Sequence, residues 1–228
     1  MSFDTNSEKI FASICRRHGY EAVKLPPRSK AAHKTADFRV TTSSGKFTAE
    51  IEELCPNKDD LRQIREMKER GFTSGGGEIG SRARNAIRHA SVQLRSHRQE
   101  AVPLLIVLYN NIRTADGRAE PPLSHLEGYQ IDAAMFGDLV VHVPMNPTAP
   151  TRPDRSGGGR TMTAKEKTYI SAVAVISDWD DESIIVYHNC FAERQFPTTI
   201  FTDAKCYHYH KRGEPYTQPW TWHKADTA

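Results

Sequence analysis

Three acids stand in a pattern that could hold one metal ion. Asp37 precedes the strand-like FRVTT, and Glu50 and Glu52 lie in TAEIEEL (48–54). Side chains alternate across a strand, so Glu50 and Glu52 project from one face while Ala49 and Ile51 project from the other. DFRVTT (37–42), the turn-like SSGK and KFTAEIEEL read as a β-hairpin with a four-residue connection. The turn near 43–45 sets Asp37 roughly opposite Ile51, laterally beside the two glutamates at the ~4.8 Å spacing of neighbouring strands. Like charges gathered there repel unless a cation offsets them. Mg²⁺ or Mn²⁺ takes hard oxygen ligands of this kind, makes a bound water more acidic and stabilises charge on a phosphate.

The elements that must position these acids follow from periodicity. Asn6 or Ser7 caps a first helix, whose stripe is Ile10, Phe11, Ile14 and Cys15 and which Gly19 ends. YEAVKL (20–25) reads as a strand stopped by Pro26-Pro27, and the basic RSKAAHKT after it reads as a loop. After the hairpin come a helix capped by Asn57, the Gly-rich SGGGEIGS (74–81), and a helix in which Ala83, Ile87, Ala90 and Leu94 share one face. PLLIVLYN (103–110) is nearly all apolar, as in a strand covered on both sides. The second half is richer in strands: DLVVHVP (138–144), YISAVAVIS (169–177) and SIIVYHN (183–189), then a short strand and an aromatic tail. PTAPTRPDRSGGGR (147–160) reads as a Pro/Gly-rich basic loop. The expected fold class is α/β, in one domain over 1–228, with a core at about 7–110 and a β-rich extension at about 135–228 in the same mixed sheet.

An aspartate, a hairpin of about a dozen residues, then Glu-x-Lys on an apolar strand is the signature of the PD-(D/E)XK nuclease superfamily, the restriction-endonuclease-like fold. This chain resembles it over residues 7–110, in the order helix, three-stranded meander, helix, strand. The resemblance makes Asp37 the motif's aspartate, Glu50 its metal-binding acid and Ile51 the intervening apolar residue. Ala36 stands where the motif has proline, and Glu52 stands where it has lysine. The lysine's charge could come instead from Lys24, Lys34, Arg84 or Arg88. Glu8, or Glu21, would add a metal ligand, as first-helix acids do in such enzymes. The resemblance implies a Mg²⁺- or Mn²⁺-dependent endonuclease acting on DNA, or on RNA, and by analogy a homodimer for two-strand cutting. Glu52 in the lysine's place equally suits a degenerate module of the same fold that binds nucleic acid or a protein without cutting.

Arg84, Arg88, Ser91 and Arg95 recur at i, i+4, i+7 and i+11, and residues 82–98 contain no acid. Such a stripe lacks the opposite charges that usually steady an exposed helix, and phosphate contact accounts for it. A solvated face neutralised by Asp59, Asp60 or Glu66 is the alternative. The loops at 28–34 and 152–160, with Lys34 in the first, are further basic segments that could grip a polyanion. SGGGEIGS lacks the Gly-Lys-Ser/Thr of a phosphate-binding loop and reads as a connector. Cys206, His208 and His210 alternate on a strand, with His188 and Cys190 nearby in type. No zinc-finger spacing accompanies them, so packing explains the alternation, and a site in the C-terminal half is the weakest of three readings. Nucleophile elbows and dinucleotide-binding glycines are absent from the sequence.

Composition sets the outer limits. The 228 residues are 38% hydrophobic and 26% charged, which suits a globular chain with one sizeable core rather than a disordered one. The net charge of +3 is too small to announce a nucleic-acid binder, so local distribution has to carry that argument. The N-terminal MSFDTNSEKIF has no signal-like apolar run, and AVPLLIVLY (101–109) is too short to span a bilayer, so no membrane partner is expected. Four scattered cysteines without a Cys-x-x-Cys suit reduced thiols and a cytoplasmic location.

Overall fold

The computed structural model describes residues 5–26, 36–74, 77–113, 125–142, 152–156, 159–178, 182–212 and 221–224. It is a mixed α/β fold. Its strands are β1 (Glu21–Lys24), β2 (Phe38–Thr42), β3 (Gly45–Leu54), β4 (Leu104–Asn110), β5 (Asp138–His142), β6 (Arg152–Ser156), β7 (Ala172–Ser177), β8 (Ser183–His188), β9 (Cys206–Arg212) and β10 (Thr221–Lys224). Eight of them form one sheet in the spatial order β1-β2-β3-β4-β7-β8-β9-β10. β1, β2 and β3 form an antiparallel meander, and β4 then lies parallel to β3. β7 is parallel to β4, and the second half thus extends the sheet of the first. β5 and β6 pair apart from it as a separate antiparallel hairpin.

Alternation along the strands divides the core into two layers. Phe38, Val40, Phe47, Ala49, Ile51, Leu105 and Val107 face α1 (Asn6–Arg17), which contributes Ile10, Phe11, Ile14 and Cys15. Leu54, Leu104, Ile106, Leu108 and Val173 face α3 (Ser81–Leu94) and α4 (Gly128–Phe136), which contribute Ala83, Ile87, Ala90, Leu94, Ile131 and Met135. β4 is buried over Leu104–Tyr109, in keeping with its apolar sequence, because both of its faces carry helices. α2 (Lys58–Arg70) differs: its only buried residue is Asp60, which closes a capping box with Asn57 and also meets Arg82 and His125.

Two local departures from the sequence expectation have physical causes. The β2–β3 connection has two residues rather than four, since Thr42 already pairs with Gly45. Thr42 Oγ1 donates to the Gly45 carbonyl and accepts the Ser44 N–H, closing the turn early, and Gly45 takes a positive φ of 144° that a side chain would resist. RPDRS (152–156), expected in a loop, is β6. Its Pro153 is tolerable because a two-stranded hairpin has free edges. The basic loop at 28–34 and residues 147–151 and 157–158 of the 147–160 segment lie outside the described residues. Among the described residues no helix is long and apolar enough to cross a membrane.

Candidate metal centre

The shorter turn moves Asp37 by one position. Phe38 pairs with Ala49, so the residue level with Asp37 is Glu50 rather than Ile51. The backbone fixes Asp37 from both sides: its carbonyl accepts the Leu25 N–H at 2.7 Å, and its own N–H donates to Glu50 Oε2 at 3.1 Å. The Asp37 carboxylate in turn accepts the Ile51 N–H at 2.9 Å. Asp37 and Glu50 are thereby locked to each other's strands. Glu50 is buried, beneath the α3 layer.

Electrostatics draw two further acids into this neighbourhood. Burial pushes the Asp37 carboxyl up to about 6, and the charges of Glu8 and Glu52 add to the rise. The Ile51 N–H and the Lys24 ammonium act the other way without cancelling it. Glu8, buried in the first turn of α1, is ion-paired at 2.8 Å with Lys24 at the end of β1. Glu52 lies on the α3 side, where it meets His89 Nδ1 and accepts from Gln93 Nε2 at 3.3 Å. His89 and Gln93 are one helical turn apart, so α3 presents both to the strand. Glu53 lies on the face of β3 opposite Glu50 and Glu52 and accepts from Ser7 Oγ at 2.8 Å and Asn111 Nδ2 at 2.5 Å. Asp37, Glu50, Glu52, Glu8 and Lys24 thus share one end of the meander. Among the described residues, the trio of ligand atoms that lie within 4.8 Å of one another belongs elsewhere, to His18, Asp203 and Cys206.

The basic stripe of α3 splits by environment. Arg84 is buried, with Nη1 2.6 Å from Glu78 and Nη2 donating to the Ile79 carbonyl at 3.2 Å. Its guanidinium packs against Gly159 so closely that a Cβ there would fall 2.6 Å from Arg84 Cζ. Arg88 and Arg95 are exposed. Both act on Lys167, whose ammonium pKa is lowered first by burial and then by these two charges. Arg88, Arg95 and partly buried Lys167 therefore lie near one another, with the Glu166 carboxylate acting on Lys167 in the opposite sense. Lys34 lies outside the described residues.

The C-terminal histidines pack together. His188 Nε2 is 2.9 Å from His208 Nδ1, and His188 stacks on His210 with ring centroids 3.7 Å apart. Burial, with His210 and His208 beside it, pushes His188 down to about 2, so the ring is neutral and a poor base near neutral pH.

The sequence alone did not reveal the paired contacts of His89 and Gln93 with Glu52, although their i, i+4 spacing on a helix after the acid-bearing strand was a usable signal. Nor did it reveal the burial of Arg84, which depends on the distant Gly159. No family model matches the chain, and neither a curated protein nor a solved structure matches it significantly.

Proposed function

We propose that this protein is a metal-dependent endonuclease-like enzyme that hydrolyses DNA phosphodiester bonds. The observation that carries the reading is the lock between Asp37 and buried Glu50, in which the Asp37 N–H donates to Glu50 Oε2 and the Ile51 N–H donates to the Asp37 carboxylate, while burial and the charges of Glu8 and Glu52 push the Asp37 carboxyl up to about 6. Folding has gathered acids at a cost, and the donors are all carboxylate oxygens, the set suited to Mg²⁺ or Mn²⁺. The order α1, antiparallel β1-β2-β3, helix, then β4 parallel to β3 supports the restriction-endonuclease-like core that the resemblance implies.

Asp37 and Glu50 would hold the ion, with Glu52 and Glu8 at its margin. When bound, such an ion supplies Lewis-acid stabilisation to a scissile phosphodiester and its attacking water. The chain's own residues do the positioning. The Ile51 N–H orients Asp37, the Asp37 N–H orients Glu50, and Lys24 offsets charge beside Glu8. Arg88 and Arg95 offer phosphate contacts, while Arg84 is committed to holding the 78–80 and 159 segments against α3.

A second reading, a module of the same fold that binds without cutting, is favoured by one observation. Glu52 stands where the family has lysine and is engaged by His89 and Gln93 rather than supplying a cation. Incubating the purified protein with supercoiled plasmid, single-stranded DNA and RNA, with Mg²⁺, Mn²⁺ or a chelator, separates the two. The enzyme reading expects metal-dependent products that Asp37→Asn and Glu50→Gln abolish. Retarded nucleic acid without cleavage supports the binding module. Neither binding nor cleavage on any substrate defeats both.

A further inference from the structure

At the opposite end of α1 from Glu8 is a second cluster, of different chemistry. His18 is the C-cap of α1, and Asp203 and Cys206 flank the turn that leads into β9. Their ligand atoms all lie within 4.8 Å of one another. His18 Nε2 is 3.4 Å from Asp203 Oδ2 and 3.6 Å from Cys206 Sγ. A tetrahedral zinc ion with bonds of ~2.05 Å to nitrogen, ~2.1 Å to oxygen and ~2.3 Å to sulfur has edges of about 3.4 Å (N to O) and about 3.6 Å (N to S). Two edges of that tetrahedron are already present.

We infer that His18, Asp203 and Cys206 form a zinc site. The imidazole is oriented for it. His18 Nδ1 is 3.0 Å from the Ile14 carbonyl, which can only accept, so Nδ1 carries the hydrogen and the Nε2 lone pair faces the other two ligands. Stacking on Tyr20 and edge-on contact with Phe201 hold the ring in that plane. Asp203 is fixed as well: Oδ1 accepts the Lys205 N–H at 2.9 Å, leaving Oδ2 for the cluster. Arg17 Nε also bonds Oδ2, at 2.7 Å, and Arg17 Nη1 is anchored on the Glu182 carbonyl at 2.7 Å. The guanidinium opposes a cation, while one thiolate and one carboxylate neutralise Zn²⁺. Cys206 is buried and Asp203 partly exposed, so the ion enters past the carboxylate. Binding breaks the Cys206 S–H bond and releases its proton to solvent, with no change of oxidation state. Solvent takes the fourth position.

Such a site has a structural consequence. It ties the end of the first helix to a turn 188 residues away, joining the N-terminal core to the β-rich extension. Its soft donor set also separates it from the all-oxygen cluster around Asp37, so each can be tested without the other.

The test is a cobalt titration of metal-stripped full-length protein, because Co²⁺ reports tetrahedral geometry by its visible bands and thiolate ligation by near-ultraviolet charge transfer. The expected result is saturation at one equivalent, displacement by Zn²⁺, and a melting temperature raised by zinc. Cys206→Ser should lose the charge-transfer band, and Asp203→Asn should bind at least ten-fold more weakly. Asp37→Asn should keep the thiolate charge-transfer band. No saturable tetrahedral spectrum in the wild type overturns the inference, as does a band unchanged in Cys206→Ser, which would belong to the exposed Cys55 or Cys190.

Discussion

Replacing Asp37 by asparagine should stabilise this protein while removing a ligand of the proposed metal site. The carboxyl ordinarily titrates at 3.8 and is pushed up to about 6 in the fold, chiefly by burial. Well below pH 4 the acid is neutral in both folded and unfolded chains, and substitution changes little. As pH rises from about 4 to about 6 the unfolded chain ionises first, so the wild type loses stability through that window. Above it the loss is complete. At ~1.4 kcal/mol per pH unit the gap amounts to about 3 kcal/mol. An amide in place of the carboxyl avoids that penalty and still offers an oxygen to the Ile51 N–H. For a domain of this size, 1 kcal/mol moves the melting temperature by roughly 2–4 °C, so Asp37→Asn should melt about 6–12 °C higher at pH 8. Differential scanning calorimetry from pH 3.5 to 8 is the assay. The two proteins should melt nearly together at the acid end and diverge through pH 6. Millimolar Mg²⁺ at pH 8 should raise the wild type alone. A variant that melts at or below the wild type at pH 8 would refute the reasoning, because Asp37 would then be a stabilising ion-pair partner and not a strained acid.

Other outcomes follow from single contacts. Gly80→Ala should destabilise by about 2 kcal/mol or more, since Gly80 sits at a φ of 71° and a Cβ there would lie 2.5 Å from the Gln130 carbonyl oxygen; urea denaturation measures it. Lys24→Met removes the 2.8 Å partner of buried Glu8 and should cost about 2 kcal/mol in the same assay, with the loss shrinking when Glu8→Gln is added. If the proposed function holds, Arg88→Ala with Arg95→Ala should weaken nucleic-acid binding and flatten the plot of log affinity against log salt by about 0.9 for each phosphate no longer neutralised; fluorescence anisotropy at several salt concentrations reads it.

The hairpin that carries the acids was legible because FRVTT and KFTAEIEEL alternate cleanly and SSG marks a turn. Its register was off by one, since the Thr42 hydroxyl tightens the turn and no periodicity reveals that. α3 announced itself through Ala83, Ile87, Ala90 and Leu94, whereas GYQIDAAMF did not announce α4. Ile131, Ala133, Ala134, Met135 and Phe136 are all buried, so that helix has no polar face in its last turns to give it a stripe. The arginine run was visible, but the division between buried Arg84 and exposed Arg88 and Arg95 depends on Glu78 and Gly159, which only the folded chain brings near. The same holds for His18 and Cys206. Sequence spacing suggested Cys206 with His208 and His210 on one strand, while the fold sets the thiol against an imidazole at the far end of the chain.

Whether the acids around Asp37 hold a hard divalent cation decides the proposed function. Anomalous diffraction from crystals soaked in Mn²⁺ answers that without reference to any substrate. A manganese peak is expected within ~2.0–2.6 Å of carboxylate oxygens of both Asp37 and Glu50, and it should be absent from Asp37→Asn crystals treated identically. No peak there, with both side chains ordered and manganese present at other sites, would contradict the proposal.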